Sequence, residues 1–172
     1  MSVSRLFIFL LFMGIVCIFI GGIFGIQGYI IFLAYNLFLI LLLIFDYIIT
    51  PNRKSFVVTR ECDRKFSLGV QNHISINIKN ESQYNIKFKI FDEVPEHMES
   101  INKNMEVAVL AETQGKVVYY VVPDKRGEYN FGYVHLKYGG ILKLCNKYCK
   151  FDLNDSYKVY PNMRDLAIYL ES

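Results

Sequence analysis

Charge is nearly missing from the first 50 residues of this 172-residue chain: of its 19 Lys and Arg and 16 Asp and Glu, only Arg5 and Asp46 precede Pro51. The hydrophobic share of 53% therefore averages two different materials that meet near Pro51. The rest of the chain carries the whole net charge of +3, too small an excess to imply nucleic acid as a partner. Cysteine is scarce as well. Cys17 lies inside the apolar run, which leaves Cys62, Cys145 and Cys149, an odd set that argues against a disulfide framework. Cys145 and Cys149 have the spacing of two metal ligands, yet His73, His97 and His135 are scattered and no further pair stands nearby to complete a zinc site. No glycine-rich phosphate loop leads into a helix, no His-Glu-x-x-His occurs and no Ser sits in a nucleophile elbow. The chain is accordingly read as non-enzymatic and without a cofactor.

What is there begins with an apolar run from Leu6 to Ile49, about twice the length one helix needs to cross a ~30 Å hydrocarbon core. Two crossings are expected, near 5–23 and 28–49. The break falls in Gly21–Gly28, where four glycines weaken a helix and suit a tight turn. A cleaved signal peptide is the rival reading, opposed by the lack of a small-residue cleavage site before Gly21 and by the second apolar stretch that follows directly. The link between the two stretches is uncharged, while Arg53, Lys54, Arg60, Arg64 and Lys65 crowd the exit of the second. The positive-inside rule then puts both termini in the cytoplasm. Asp46 is the one acidic residue in this region; it reads as an interfacial carboxylate reaching the headgroups, with an intramembrane proton or ion site as the alternative. Asn36 and Gln27 are candidates for hydrogen bonds between helices.

After Pro51 the pattern changes to period two. Apolar and polar residues alternate strictly through Ile74–Lys79 and Ile86–Ile90, which read as half-buried antiparallel strands joined by a hairpin turn at Asn80–Gln83. Further strands are expected at 55–60, 105–111, 116–122, 129–138 and 156–160, with a short helix at Asn162–Leu170. Val117–Val122 is apolar on both faces and is placed centrally, covered on each side. The fold class expected is thus a two-helix transmembrane hairpin, 1–50, followed by an antiparallel immunoglobulin-like β-sandwich, 51–172. The chain's 13 Tyr and 14 Phe, with no Trp, read as packing rather than as a stacking surface for sugars or bases. About 120 residues after Pro51 suffice for one core and leave no room for a second domain.

Two stretches stand out as candidate sites. The acidic cluster Asp92–Glu99 reads as a solvated loop, with cation binding as the alternative. Pro123–Gly132 is a turn between two apolar strands: Pro123 has no N–H for the ladder, Gly127 admits a positive φ, and Arg126 is placed to pin the loop onto carboxylate or carbonyl oxygens. Together with Tyr129, Phe131 and Gly132 this turn is either structural or a contact site.

These residues resemble the N-terminal half of the bacterial family called domain of unknown function 58. The order matches: an apolar hairpin, Leu68-Gly69 before an alternating strand Val70–Asn80, the Pro-x-x-Arg-Gly-x-Tyr-x-Phe-Gly turn at Pro123–Gly132, and Val159-Tyr160-Pro161-Asn162. In that family a von Willebrand A-like α/β domain follows, and MoxR-type AAA+ ATPases are associated partners. No such domain follows within these residues, so the resemblance implies a truncated or split member. The function expected is a scaffold or docking protein anchored in the lipid bilayer, working with a MoxR-type AAA+ ATPase or a separate von Willebrand A-like domain. The alternatives are an externally oriented envelope-binding or adhesion module and an ion or proton conductor centred on Asp46.

Overall fold

The uncharged N-terminal run forms two helices, α1 (Arg5–Gly21) and α2 (Ile26–Ile49), as its long apolar side chains favour. They lie side by side because Gly14 lets them approach: a Cβ there would stand 2.9 Å from the Tyr35 ring. The Tyr35 hydroxyl donates to the Leu10 carbonyl at 3.3 Å. Asn36, a candidate bridge between helices, donates instead to Phe32 in its own helix at 2.9 Å. This computed structural model describes residues 2–22, 25–62, 65–101, 105–153 and 155–160. The expected helix at Asn162–Leu170, the Pro161–Asn162 end of the last motif, Arg64, and the side chains of Cys17 and Gln27 lie outside the described residues.

The expected two-span hairpin requires correction. Among the described residues one helix, Tyr29–Ile49 within α2, is long and apolar enough to be a membrane span or a signal sequence; the apolar stretch of α1, Arg5–Val16, is shorter. The reason is length. At a rise of 1.5 Å per residue, 21 residues cover ~31 Å and match a ~30 Å hydrocarbon core, whereas all 17 residues of α1 reach only ~25 Å. Most of the side chains of α2 are open on its outer face, including Ile31, Leu37, Phe38 and Ile48, which is unlike the core helix of a soluble protein.

The rest of the chain folds as strands. A 3-10 turn at Arg53–Ser55 leads into β2 (Phe56–Cys62), β3 (Lys65–Ser67), β4 (Asn72–Asn80), β5 (Ile86–Asp92), β6 (Met98–Ile101) and β7 (Met105–Val109). These are followed by β8 (Gln114–Pro123), β9 (Gly127–Asn130), β10 (Val134–Gly139), β11 (Cys145–Phe151) and β12 (Ser156–Tyr160), while β1 is the short Ser2–Val3. The chain divides into two compact units, Met1–Asn52 with Tyr138–Tyr148, and Arg53–Lys137 with Cys149–Ser172. The break at Asn52 is beside the expected boundary, but the turn between β10 and β11 goes with the helices.

In the second unit β2, β4, β8 and β6 form an antiparallel sheet in the order β2-β4-β8-β6, with Phe56 opposite Asn80 and Ile74 opposite Tyr119. A second sheet runs β11-β10-β5-β7. The two face each other as an antiparallel β-sandwich. Ile74, Ile76, Ile78, Tyr119 and Val121 point inward from one sheet to meet Phe88, Ile90 and Val109 from the other. Phe56 meets Phe88 edge to face, 5.0 Å between centroids. Gly115 leaves room for Val109, since a Cβ there would stand 2.6 Å from it. A third sheet, β3-β12-β9, has β12 parallel to β3 and antiparallel to β9.

Three local expectations change. Asn80–Gln83 is no hairpin turn: β4 and β5 belong to different sheets, and the link crosses between them. Asn80 organises that crossing, donating to the Tyr84 and Leu110 carbonyls and accepting from Ser82. The Val117–Val122 run is central between β4 and β6, but only its Tyr119 and Val121 face is covered. Val118 and Tyr120 are 42% and 40% exposed. The strand expected at 129–138 is two, β9 and β10, paired in different sheets.

In the first unit, β1 pairs with β11, Ser2 opposite Asn146 and Val3 opposite Cys145. Leu144 is buried among Phe7 of α1 and Leu39 of α2.

Candidate functional site

The Pro123–Gly132 turn has a structural use for all but one of its six singled-out residues. Pro123 closes β8, and its carbonyl accepts the Gly69 N–H at 3.0 Å. Gly127 adopts φ 153°, outside the range comfortable for a side chain. The Tyr129 hydroxyl donates to the Lys125 carbonyl at 3.0 Å and ties the turn from below. Phe131 is buried against Phe66 and Tyr157. The Gly132 N–H donates to the Glu93 carbonyl, and a Cβ at Gly132 would collide with the Glu93 side chain. Arg126 differs. It is exposed and makes no hydrogen bond or ion pair among the described residues, so Tyr129 does the pinning that the sequence assigns to Arg126.

Around this turn the other resemblance-bearing segments meet. Gly69, with φ 69°, bonds Pro123, and the Leu68 N–H donates to the Tyr160 carbonyl at 3.0 Å. β12, which holds Val159 and Tyr160, pairs with β3 on one side and with β9, which begins at Gly127, on the other.

Beneath the turn lies an ion network that the sequence reading missed. Arg60 and Asp92 are wholly buried, and Arg60 Nε donates to Asp92 Oδ2 at 3.0 Å while Nη2 donates to Oδ1 at 2.5 Å. Nη1 reaches Asp155 at 3.0 Å, and Nη2 also donates to the Gly132 carbonyl at 3.1 Å. The Tyr119 hydroxyl donates to Asp92 Oδ2, and the guanidinium lies over the Phe131 ring at 4.9 Å. Burial opposes the Arg60 charge, but Asp92 outweighs it and holds the guanidinium above its usual range. Burial and Asp92 together push the Tyr119 hydroxyl far above that of a free phenol. Arg60 Nε, Nη1 and Nη2 each donate within the protein and both Asp92 oxygens accept there, so the network acts as a lock between the sheets of β2 and β5.

The acidic cluster is divided. Asp92 serves the lock. Glu93 accepts from the Tyr133 N–H and pairs with His135 Nε2 at 2.6 Å, and the His135 bond, then the Tyr133 bond, hold its carboxyl below the usual range. Glu96 and Glu99 are exposed. No group of three or more His, Cys, Asp or Glu among the described residues is arranged to hold a metal ion. Cys145 and Cys149 sit four residues apart on one strand, ~13 Å, too far to share an ion. Burial pushes the Cys149 thiol up to about 11, so it is protonated and unreactive at neutral pH. A groove of about 430 Å³ runs beside the turn, lined by Gly69, His97, Glu99, Pro123 and Asp124. His97, at φ 67°, stands 3.5 Å from Asp124 and 3.4 Å from Lys125.

Asp46 does something the sequence did not disclose. It is fully buried. Its Oδ1 accepts the Leu142 N–H at 2.7 Å and its Oδ2 accepts those of Leu144 and Cys145 at 3.0 and 3.1 Å. Rather than reaching headgroups, the carboxylate clasps the turn between β10 and β11. A Cβ on Gly140 would collide with it. Beside it Lys147 donates to the Thr50 carbonyl at 2.6 Å and to Asn52 at 2.8 Å, with its ammonium 4.3 Å over the Tyr47 ring.

No family model matches this chain, and no curated protein matches it. Among solved structures, the native α2-macroglobulin of Escherichia coli from domain MG7 to the C-terminus is similar at 12% identity and a TM-score of 0.45, over 65% of this chain and 17% of that one. A CARDB domain from Pyrococcus furiosus, solved with di-metal ions, is similar at 12% identity and a TM-score of 0.41, over 65% of this chain and 90% of that one. A FixG-related protein from Vibrio parahaemolyticus is similar at 9% identity and a TM-score of 0.39, over 61% and 96%. At these identities the likeness is one of β-domain fold and of nothing more.

Proposed function

We propose that this protein is a membrane-anchored, non-enzymatic docking module whose contact residue is Arg126. The observation that carries the reading is the contrast within one turn: Pro123, Gly127, Tyr129, Phe131 and Gly132 are all spent on holding the backbone, while Arg126 is presented outward with no partner among the described residues. A rigid frame carrying an unpaired guanidinium suits the capture of a carboxylate on another protein, because little ordering entropy remains to be lost on binding. The partner class, a MoxR-type AAA+ ATPase or a separate von Willebrand A-like domain, comes from the resemblance. The meeting of Leu68-Gly69, Pro123 and Val159-Tyr160 around the turn supports that resemblance.

α2 is the anchor and crosses the bilayer. Arg53 and Lys54, both exposed directly after it, favour a cytoplasmic sandwich under the positive-inside rule. Tyr84→Cys, at an exposed site, should then resist an impermeant thiol reagent applied to intact cells and react once they are opened. Labelling in intact cells would place the sandwich outside and turn the reading toward an envelope-binding module.

Docking is tested by co-purification. The full chain should retain a MoxR-type ATPase from the same cells, and Arg126→Glu should weaken that capture by about tenfold or more, as expected for a central arginine in an interface. Arg126→Lys should be intermediate and Glu112→Lys, at another exposed turn, neutral. Capture by Arg126→Glu equal to wild type would dismiss the site.

A further inference from the structure

We propose that the turn between β10 and β11, Gly140–Cys145, is a second membrane contact, seated in the headgroup layer with Leu142 directed at the lipid. The proposal rests on the reading of α2 as a membrane span, and the closing experiment separates the two.

The first observation is depth. Asp46 stands three residues before the end of α2, ~4.5 Å down its axis. Because its carboxylate takes the N–H groups of Leu142, Leu144 and Cys145, the turn lies alongside the last turn of α2 and not beyond it. Leu144 goes deeper and packs on Leu39, ~15 Å from the end of the helix. If α2 is in the bilayer, the turn is at its surface or inside it.

The second observation is the state of the backbone. Non-helical backbone survives at membrane depth only where its polar groups find partners within the protein. Every N–H from Gly140 to Cys145 does. Gly140 donates to the Cys145 carbonyl at 2.7 Å, Ile141 to the Thr50 hydroxyl at 3.2 Å, and Lys143 to the Gly140 carbonyl at 2.9 Å. Asp46 takes the remaining three. The Leu144 carbonyl accepts from the Ser4 N–H at 2.9 Å. A turn bathed in water has no need of such completeness, because water would serve the same donors.

The third observation is the outward face. Leu142, at the tip, is 42% exposed although its N–H is clasped by Asp46, and Lys143 next to it is exposed in a left-handed conformation, φ 60°. An apolar tip beside a long cationic side chain matches the boundary between acyl chains and phosphates, where lysine extends its stem through the apolar layer and sets its ammonium among the headgroups. The exposed Phe45 and Ile48 of α2 stand at the same level along the helix axis. Lipid rather than a protein partner is therefore the occupant, by continuity with the lipid-facing side of α2.

The chain has no tryptophan, so one introduced Trp reports alone. Leu142→Trp in the full chain, reconstituted in phosphatidylcholine vesicles with bromine on the upper acyl chain, should be quenched as strongly as Ile48→Trp at the end of α2. Free tryptophan added to the same vesicles should not be quenched. Leu142→Trp that escapes the bromines while Ile48→Trp is quenched overturns this proposal and leaves the span intact. A blue-shifted but unquenched Leu142→Trp overturns it in favour of a protein contact, and quenching of free tryptophan to the same degree overturns it as non-specific. Should Ile40→Trp, midway along α2, escape bromines at every depth, the span itself fails and the turn's membrane role falls with it.

Discussion

Asp92→Ala should destabilise the sandwich by about 3–5 kcal/mol, the cost of leaving a buried charge without its partner. Asp92 supplies both oxygens of the fork that receives Arg60, and one of them also takes the Tyr119 hydroxyl. Removing it strands a guanidinium whose side chain is entirely enclosed, with Asp155, the Gly132 carbonyl and the Phe131 ring left beside it among the described residues. Solvent reaches the Asp155 side chain but not Arg60, so water cannot take over cheaply. Urea unfolding of the detergent-solubilised chain, followed by the near-ultraviolet signal of its tyrosines, measures the loss.

The informative contrast is the double variant Arg60→Met with Asp92→Leu. It removes both charges and keeps side-chain bulk, and it should lie within about 1–2 kcal/mol of wild type, because a buried pair returns little more than its own desolvation costs. What the double variant should lose is uniqueness. Arg60 on β2 grips Asp92 on β5, two strands of opposite sheets, and so fixes how one sheet is set on the other. A broadened transition at unchanged midpoint is the expected sign. If Asp92→Ala instead costs under about 1 kcal/mol, the pair is not dry and the lock does not exist.

That lock also shows where sequence reading stops. Alternation through Ile74–Lys79 and Ile86–Ile90 gives β4 and β5 directly, since each inward position is a branched or aromatic residue. The same alternation continues to Arg60 in β2 and to Asp92 in β5, both facing inward behind Phe56 and Val58 or Phe88 and Ile90. A reading that sorts residues by polarity ends a strand there or assigns a charge to the surface. The available signal was register: an inward arginine on one strand and an inward aspartate on another, of opposite sign. β11 was lost for the same reason, because Lys147 occupies one of its buried positions.

Length and topology were harder still. Counting apolar residues from Leu6 to Ile49 yields enough for two spans, but the glycine-rich break falls early and leaves α1 at 17 residues. The crossing at Asn80–Asn85 looks like a hairpin because turn chemistry is local, whereas the choice of sheet is made by distant partners. The Pro123–Gly132 turn was legible as a turn; that Tyr129 and not Arg126 closes it follows from a hydrogen bond of its hydroxyl to the Lys125 carbonyl, which residue type and spacing alone do not select.

Asp46 is the sharpest instance, for its partners lie 96 to 99 residues further along the chain. Asp46→Ala should strip the acceptor from three amide N–H groups, each left unsatisfied at about 1–3 kcal/mol, so hydrogen exchange at Leu142, Leu144 and Cys145 should accelerate by about tenfold to 100-fold. Asp46→Asn should fall between, since its amide oxygen still accepts while its NH₂ group now faces N–H donors. Gly140→Ala provides an independent route to the same result: the carboxylate is retained, yet the added methyl occupies its place and forces it off the turn. Exchange measured on the reconstituted chain should therefore rise at the same three amides in both variants and stay unchanged at the β4–β8 ladder. An Asp46 that served ion or proton movement would behave otherwise, with Asp46→Asn abolishing flux in vesicles and leaving those amides protected. With three backbone N–H groups already on its two oxygens, the carboxylate is engaged in holding the turn, and the geometry accordingly favours the clasp.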